Sequence, residues 1–110
     1  RRQLVLTGRI KNIAKVGGES VSLEEVERVC LSLPFILDCV CVAVPDDRRG
    51  ERIIGIVVGS EPIVASRVMA YLAGRLPRFA VPTEWREVER LPRTPTGKIR
   101  RREVIADLHL

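Results

Sequence analysis

Two apolar, β-branched runs, Leu37 to Val44 and Arg52 to Val58, stand either side of the turn-rich stretch Pro45-Asp46-Asp47-Arg48-Arg49-Gly50. Valine and isoleucine suit a pleated, packed surface, whereas a segment rich in Pro, Asp and Gly reverses the chain. The runs predict a pair of adjacent central strands, and the remaining segments must supply what flanks them.

Upstream, Ser22 is placed to cap a helix, with Glu25 three residues later to complete a capping box and Val21 set to staple against Val26. Val26, Val29, Cys30 and Leu33 follow at helical spacing and Pro34 closes the run, which predicts a helix over 23–33. Downstream, Ala65, Val68, Met69, Leu72 and Leu76 mark one face of a second helix, with Pro62 suited to its first turn and Pro77 at its end. Glu84 to Val88 predicts a third strand, and Ile99 to Leu108 a weaker last helix. The chain opens in an extended run at Leu4-Val5-Leu6, and glycines at Gly8 and Gly17-Gly18 punctuate the stretch that includes Ile13 to Val16, a short N-terminal β pair. The expected fold class is α+β: a small domain with a mainly three-stranded sheet flanked by helices, plus that short pair.

At 110 residues the chain has the length of one domain with one modest core. Its 45% hydrophobic and 30% charged residues are globular values. No apolar run approaches the roughly 18 residues of a spanning helix, and Arg1 and Arg2 are not followed by the apolar core of a signal peptide. The expected compartment is the cytoplasm. There is no initiator Met, so the chain is expected to be a piece of a longer protein. Cys30, Cys39 and Cys41 are too few and odd in number for a disulfide scaffold, and with His109 as the sole histidine no metal site is expected. Cys39 and Cys41 point to one face of a strand and read as small buried apolar residues. Lys and Arg outnumber Asp and Glu by 19 to 14, for a net charge of +5, which suits a solvated basic face or an anionic partner.

The reactive inventory is poor. One histidine completes no nucleophile–base arrangement dependably, and no glycine-rich loop has the spacing of a triphosphate cradle. The strongest candidate is Thr94-Pro95-Thr96-Gly97-Lys98-Ile99, where the prolines restrict the loop and the glycine removes bulk. A lysine presented there loses little freedom on meeting a carboxylate or phosphate, although a solvated surface lysine has the same surroundings. If the chain takes part in catalysis, it lends groups to a site built mostly elsewhere.

Thr7-Gly8-Arg9-Ile10-Lys11, Gly17-Gly18-Glu19-Ser20-Val21, Glu25-Val26-Glu27, Val42-Ala43-Val44-Pro45-Asp46, Gly50-Glu51 and Leu91-Pro92-Arg93-Thr94-Pro95-Thr96-Gly97-Lys98-Ile99 follow one another in register. In that order they resemble the C-terminal domain of the AMP-forming acyl-activating enzymes, a family of acyl-CoA synthetases, acyl-carrier-protein synthetases, luciferase and peptide-synthetase adenylation domains. The resemblance covers nearly the whole chain. It implies that residues 1–10 are the end of a large domain and the linker to a hinge, and that residues 11–110 are the small C-terminal domain. It implies a catalytic role for Lys98, at the reacting carboxylate and the nucleotide during adenylate formation, and a ribose contact for Arg9. Lys11 falls at the hinge, and Gly18 on the tunnel that admits a pantetheine thiol. Asn12 stands where many members carry Asp, Ala14 where a larger aliphatic is common, and Ser20 where acetyl-CoA synthetase-like members carry Arg.

The parent activity so implied is that of an ATP-dependent, AMP-forming acid–thiol ligase that adenylates a carboxylic acid, expected to be a fatty acid. The acid is passed to the phosphopantetheine thiol of CoA or of a carrier protein, and the stretch Ala14 to Glu24 looks more like the carrier-protein branch, including the type fused to an acyltransferase. ATP and Mg²⁺ would be bound mainly by the large N-terminal domain, the principal partner. Arg48, Arg49, Arg52, Arg75 and Arg78 suit the phosphates of CoA or an acidic carrier. Two rival readings are an inactive interaction domain of the same fold and a basic nucleic-acid-binding module. The latter lacks stacking platforms, because no Phe, Tyr or Trp lies between 37 and 58. No nucleic acid is therefore expected as a partner.

Overall fold

The computed structural model describes residues 12–92, 95–97 and 99–110. β1 (Ile13–Val16) and β2 (Glu19–Ser22) form a hairpin closed by Gly17 and Gly18, at φ 58° and 86°. Two successive positive φ values give the turn the twist of the flanking strands, and glycine adopts them without steric cost. The short pair thus lies at 13–22; the expected extended run at Leu4 to Leu6 lies outside the described residues.

Ser22 caps α1 (Leu23–Leu31), its hydroxyl accepting from the N–H of Glu25 at 3.3 Å. The box is only half closed, because the Glu25 carboxylate pairs with Arg28 instead of returning to the cap. α1 stops two residues before the predicted end: the Ser32 N–H and hydroxyl both donate to the Val29 carbonyl, tightening the last turn before Pro34. β3 (Ile36–Asp46) and β4 (Gly50–Gly59) are the predicted central hairpin, extended at both ends. In its loop the Asp46 carboxylate accepts from the N–H groups of Arg48 and Arg49 at 2.8 and 2.9 Å, which hold that carboxyl below its ordinary value.

α2 (Ala65–Ala73) begins three residues beyond Pro62, and a single 3-10 turn (Arg78–Ala80) leads to β5 (Glu84–Glu87). α3 (Arg101–Asp107) ends the described fold. Among the described residues the sheet has five strands. β4 pairs with β3 along its length, while its other edge is shared by β1 at Gly50 and by β5, which runs parallel beside Ile54 to Val57. β5 comes close because Gly55 opposes Trp85: a Cβ there would stand 2.5 Å from the indole ring.

Both faces of the β3–β4 hairpin are covered, which explains why its sequence is apolar at nearly every position instead of alternating. Cys39, Cys41, Ile53 and Val57 face α1 and α2 in one cluster. Val40, Val42, Val44, Ile54 and Ile56 face Leu91 and Val104 in the other. No helix among the described residues is long and apolar enough to cross a membrane.

Candidate functional site

The residues that flank the Lys98 segment, Leu91 and Ile99, are packed. Leu91, nearly buried, and Ile99 enter the same cluster beside Val104. Pro95, Thr96 and Gly97 are exposed, and Gly97 turns the backbone at φ 88° just before Lys98. Lys98 itself lies outside the described residues, as do Arg9 and Lys11. The fold brings the anchors of this loop to the α3 side of the sheet.

Gly18 lies on the opposite side of that construction. The Gly17–Gly18 turn is exposed and is pinned by the Gly17 N–H, which donates to the Arg49 carbonyl at 2.7 Å. Beside it opens a groove of about 1080 Å³ lined by apolar residues such as Val16, Met69 and Phe79, and by Arg49, Arg78 and Glu19. A largely apolar channel with two arginines and one carboxylate in its lining suits a slender, uncharged arm that ends in phosphates. Val16 also belongs to the cluster under α1 and α2, so the groove and the packed residues Leu91 and Ile99 occupy different faces of one sheet.

The expected basic surface is thinned by internal pairing. Arg52 donates to Glu84 at 2.7 Å and lies 3.9 Å from Asp46, and Arg75 stacks over the Tyr71 ring, 3.7 Å from its centroid. Arg48, Arg49 and Arg78 are exposed. Ser20, at a departure from the family pattern, accepts from Lys15 Nζ at 2.7 Å, and Glu51 accepts from the Lys15 N–H at 2.7 Å, extending the seam between β1 and β4.

Cys30 joins Cys39 and Cys41, which sequence spacing alone paired: the three sulfur atoms lie within 4.8 Å of one another, unpaired and buried. Hydrogen bonding to Cys30 and Cys39, followed by burial, holds the Cys41 thiol well above its ordinary value.

Sequence reasoning passed over a network around Arg101. Its Nε donates to the Cys41 carbonyl (3.0 Å), Nη1 to Asn12 Oδ1 (3.0 Å) and Nη2 to Glu27 Oε2 (2.7 Å). The same Glu27 oxygen accepts from the Cys41 N–H at 2.7 Å, so among the described residues the outer edge of β3 is met by side chains and by no further strand. Burial raises the Glu27 carboxyl above its ordinary value of 4.5, against the opposing pull of the Cys41 N–H and Arg101. A signal existed in the sequence: Arg100, Arg101 and Arg102 crowd a helix start, the end that disfavours cations, so they require partners.

Solved structures share this architecture. A Mycobacterium tuberculosis fatty acyl CoA synthetase superposes with a TM-score of 0.83 at 30% identity, over 92% of this chain and 20% of that one. The Bacillus subtilis o-succinylbenzoate CoA synthetase, in complex with an acyl-adenylate intermediate, gives 0.81 at 27% identity over 84% and 19%. The fold is thus the small C-terminal domain of acyl-CoA synthetase structures. Residues 25–98 match the family described as the AMP-binding enzyme C-terminal domain, and the chain belongs to that family, the C-terminal part of AMP-forming acyl-activating enzymes. Among curated relatives, the oxalate–CoA ligase of Saccharomyces cerevisiae is 41% identical over 106 residues (94% of this chain), and a 4-chlorobenzoate–CoA ligase of Arthrobacter sp. is 36% identical over 101 (91%). The chain spans about a fifth of the length of these relatives, 19% of each.

Proposed function

We propose that this chain is the mobile lid of an ATP-dependent, AMP-forming acid–thiol ligase, and that its two faces serve two half-reactions. The carrying observation is their separation: the anchors of the Lys98 loop pack on one side of the sheet and the Gly17–Gly18 groove opens on the other. A site that closes over one face would have the other turned away from it. A rotation of the domain about its link to the large domain, at Lys11, exchanges them.

In the first orientation Lys98 meets the acid carboxylate and the α-phosphate, where negative charge collects as adenylate forms, and fixed positive charge in a closed site stabilises that arrangement. Arg9 holds the ribose hydroxyls. ATP, Mg²⁺ and the carboxylic acid rest chiefly on the large domain. In the second orientation the groove beside Gly18 guides a pantetheine arm while Arg49 and Arg78 meet its phosphates. The ligase names of the relatives favour CoA over a carrier protein as acceptor. A fatty acid is the substrate we assign, in line with the mycobacterial relative, and the cytoplasm is the compartment that three unpaired thiols suit.

The test separates Lys98 from Lys11 in the intact parent enzyme. Lys98→Ala is expected to lower acid-dependent pyrophosphate exchange by roughly 100- to 1000-fold, the cost of about 3–4 kcal/mol for one lost charge contact. Thioester release from supplied acyl-adenylate is expected to stay near wild type. Lys11→Pro is expected to do the reverse, because a fixed φ restricts the rotation. Equal losses in both half-reactions for both variants would remove the two-face reading, and full exchange activity in Lys98→Ala would remove the catalytic assignment.

A further inference from the structure

Cys30 lies in the last turn of α1, and Cys39 and Cys41 lie on the face of β3 that α1 covers. The helix delivers one sulfur and the strand two, because residues two apart on a strand share a face. All three sulfur atoms lie within 4.8 Å of one another. Hydrogen bonds from the Cys39 and Cys41 thiols hold Cys30 below its ordinary value against the effect of burial, so the side chains converge on one point. Three sulfurs bound to one atom at about 2.3 Å, the length of a metal–thiolate bond, stand about 4 Å apart in a plane and closer in a pyramid. Closing the cluster on a bound atom therefore takes sulfur shifts of about 1 Å or less. We propose that Cys30, Cys39 and Cys41 form a binding site for a trivalent, thiophilic metalloid hydroxide such as arsenous acid, held through three sulfur bonds. The site does not depend on the half-reactions assigned above.

The surroundings select that class. The three cysteines are buried, and Val26, Val29, Leu33, Ile53 and Val57 share their cluster. Among the described residues no histidine or carboxylate joins the sulfurs. Zinc prefers four ligands, and this core is too apolar to keep a water as the fourth. Charge decides further. Three thiolates leave one negative charge on a divalent ion and two on a monovalent one such as Cu(I), whereas on a trivalent centre they leave none. An unpaired charge is strongly disfavoured in such a core. Arg101, which donates to the Cys41 carbonyl, is already paired with Glu27 and does not offset it. The reaction with arsenous acid adds no charge: three As–O bonds break, three As–S bonds form, and each thiol proton leaves with a hydroxide as water. Arsenic stays trivalent, so no oxidant or reductant takes part.

Entry needs no unfolding of the sheet. Cys30 is one residue from the end of α1, beside the exposed Leu31, and the Ser32 N–H and hydroxyl close that end on the Val29 carbonyl. Helix ends open locally at low cost. Opening of this turn exposes Cys30, which binds the centre first and carries it to the strand thiols as the turn closes. A centre bonded to both α1 and β3 must be released before the turn opens again, so occupancy suppresses the opening.

The experiment uses the intact parent enzyme, reduced and freed of added thiols, with sodium arsenite as the probe. X-ray absorption at the arsenic edge is expected to show three sulfur neighbours and no oxygen. At a free arsenite concentration about 100 times Kd, amide hydrogen exchange over residues 29–33 is expected to slow on the order of 100-fold, because opening then requires release of the ligand. Cys30→Ala, Cys39→Ala and Cys41→Ala each leave two thiols. Each is expected to weaken binding by more than about 100-fold, beyond the roughly 10- to 100-fold cost of disturbing a ligand's outer partner. Zn(II) at equal concentration is expected not to displace arsenite. If one alanine variant fails to fold, the other two and the absorption spectrum carry the test. The proposal is overturned by absence of binding, by an arsenic shell that keeps an oxygen, or by arsenite binding that leaves exchange at the end of α1 unchanged. Binding that survives all three substitutions overturns it too, since it then belongs to cysteines elsewhere in the enzyme. Displacement by Zn(II) overturns the charge argument and the assigned class with it.

Discussion

A Cβ at Gly18 would have none of the described residues within 4 Å apart from its own chain neighbours. The local objection to a substitution is the backbone alone, at φ 86°, a conformation that costs an L-residue about 1–2 kcal/mol whatever its size. Alanine and leucine at this position therefore share one conformational cost and differ in bulk. In the intact enzyme, thioester formation is expected to fall steeply from Gly18→Ala to Gly18→Leu, while pyrophosphate exchange stays level between them. Rates of both half-reactions measured for both variants check this, and a parallel decline in the two would take Gly18 off the acceptor path. At this scale the motif residues were legible because turn and loop chemistry is local: Gly17, Gly18 and Gly97 all take positive φ where the sequence placed turns. Arg101 was not legible as a clamp, because its partners lie 60 to 89 positions away and nothing in its own neighbourhood names them.

Elements show where local rules yield to tertiary ones. The cap at Ser22 formed as predicted, but Glu25 turned to Arg28, since an ion pair on an exposed helix face competes with the reciprocal cap bond at little difference in energy. β3 and β4 run past their predicted ends because pairing, not propensity, sets their length: Pro45 opposes Glu51 and Asp46 opposes Gly50. The unpaired edge of β3 depends on Glu27, whose carboxyl is raised above 4.5 by burial, and this has a definite sign. A group whose folded value is raised contributes stability that is full below its unfolded value and is lost as pH rises through the folded value. Glu27→Gln, a neutral stand-in for the protonated acid, should match wild type at pH 4. Its melting temperature relative to wild type should then climb as pH rises toward 7. Thermal melts of the two proteins across that range check it; a difference that is flat, or that favours wild type at neutral pH, would mean that Arg101 and the Cys41 N–H outweigh burial.

As a whole, the described residues form a two-sided platform, and the central hairpin, the α-helices and β5 were readable from periodicity and turn chemistry, whereas β2 and the 3-10 turn were not. The opposition of the two faces was not, because it arises from which side of β3 and β4 each later segment packs against. The groove beside the glycine turn likewise draws on β1, α2 and the 3-10 turn, brought together by the fold alone. Its arginines allow a test of the acceptor. Arg49 and Arg78 line it and are exposed, whereas Arg52 is committed to Glu84 and Asp46. Reversing both groove charges, Arg49→Glu with Arg78→Glu, turns two attractions into repulsions. Exposed pairs are worth about 0.2–1 kcal/mol each, so the KM for CoA should rise on the order of ten-fold. Adenylation, which the proposal assigns to the other face, should be spared. Added salt should raise the wild-type KM and narrow its gap to the variant, because exposed charges are screened over about 10 Å at 0.1 M ionic strength. Assays of thioester formation against CoA, at two salt concentrations and beside pyrophosphate exchange, decide the matter. A KM unmoved by the double reversal would place the acceptor's phosphates elsewhere, and a matching loss in exchange would show that the two faces do not act separately.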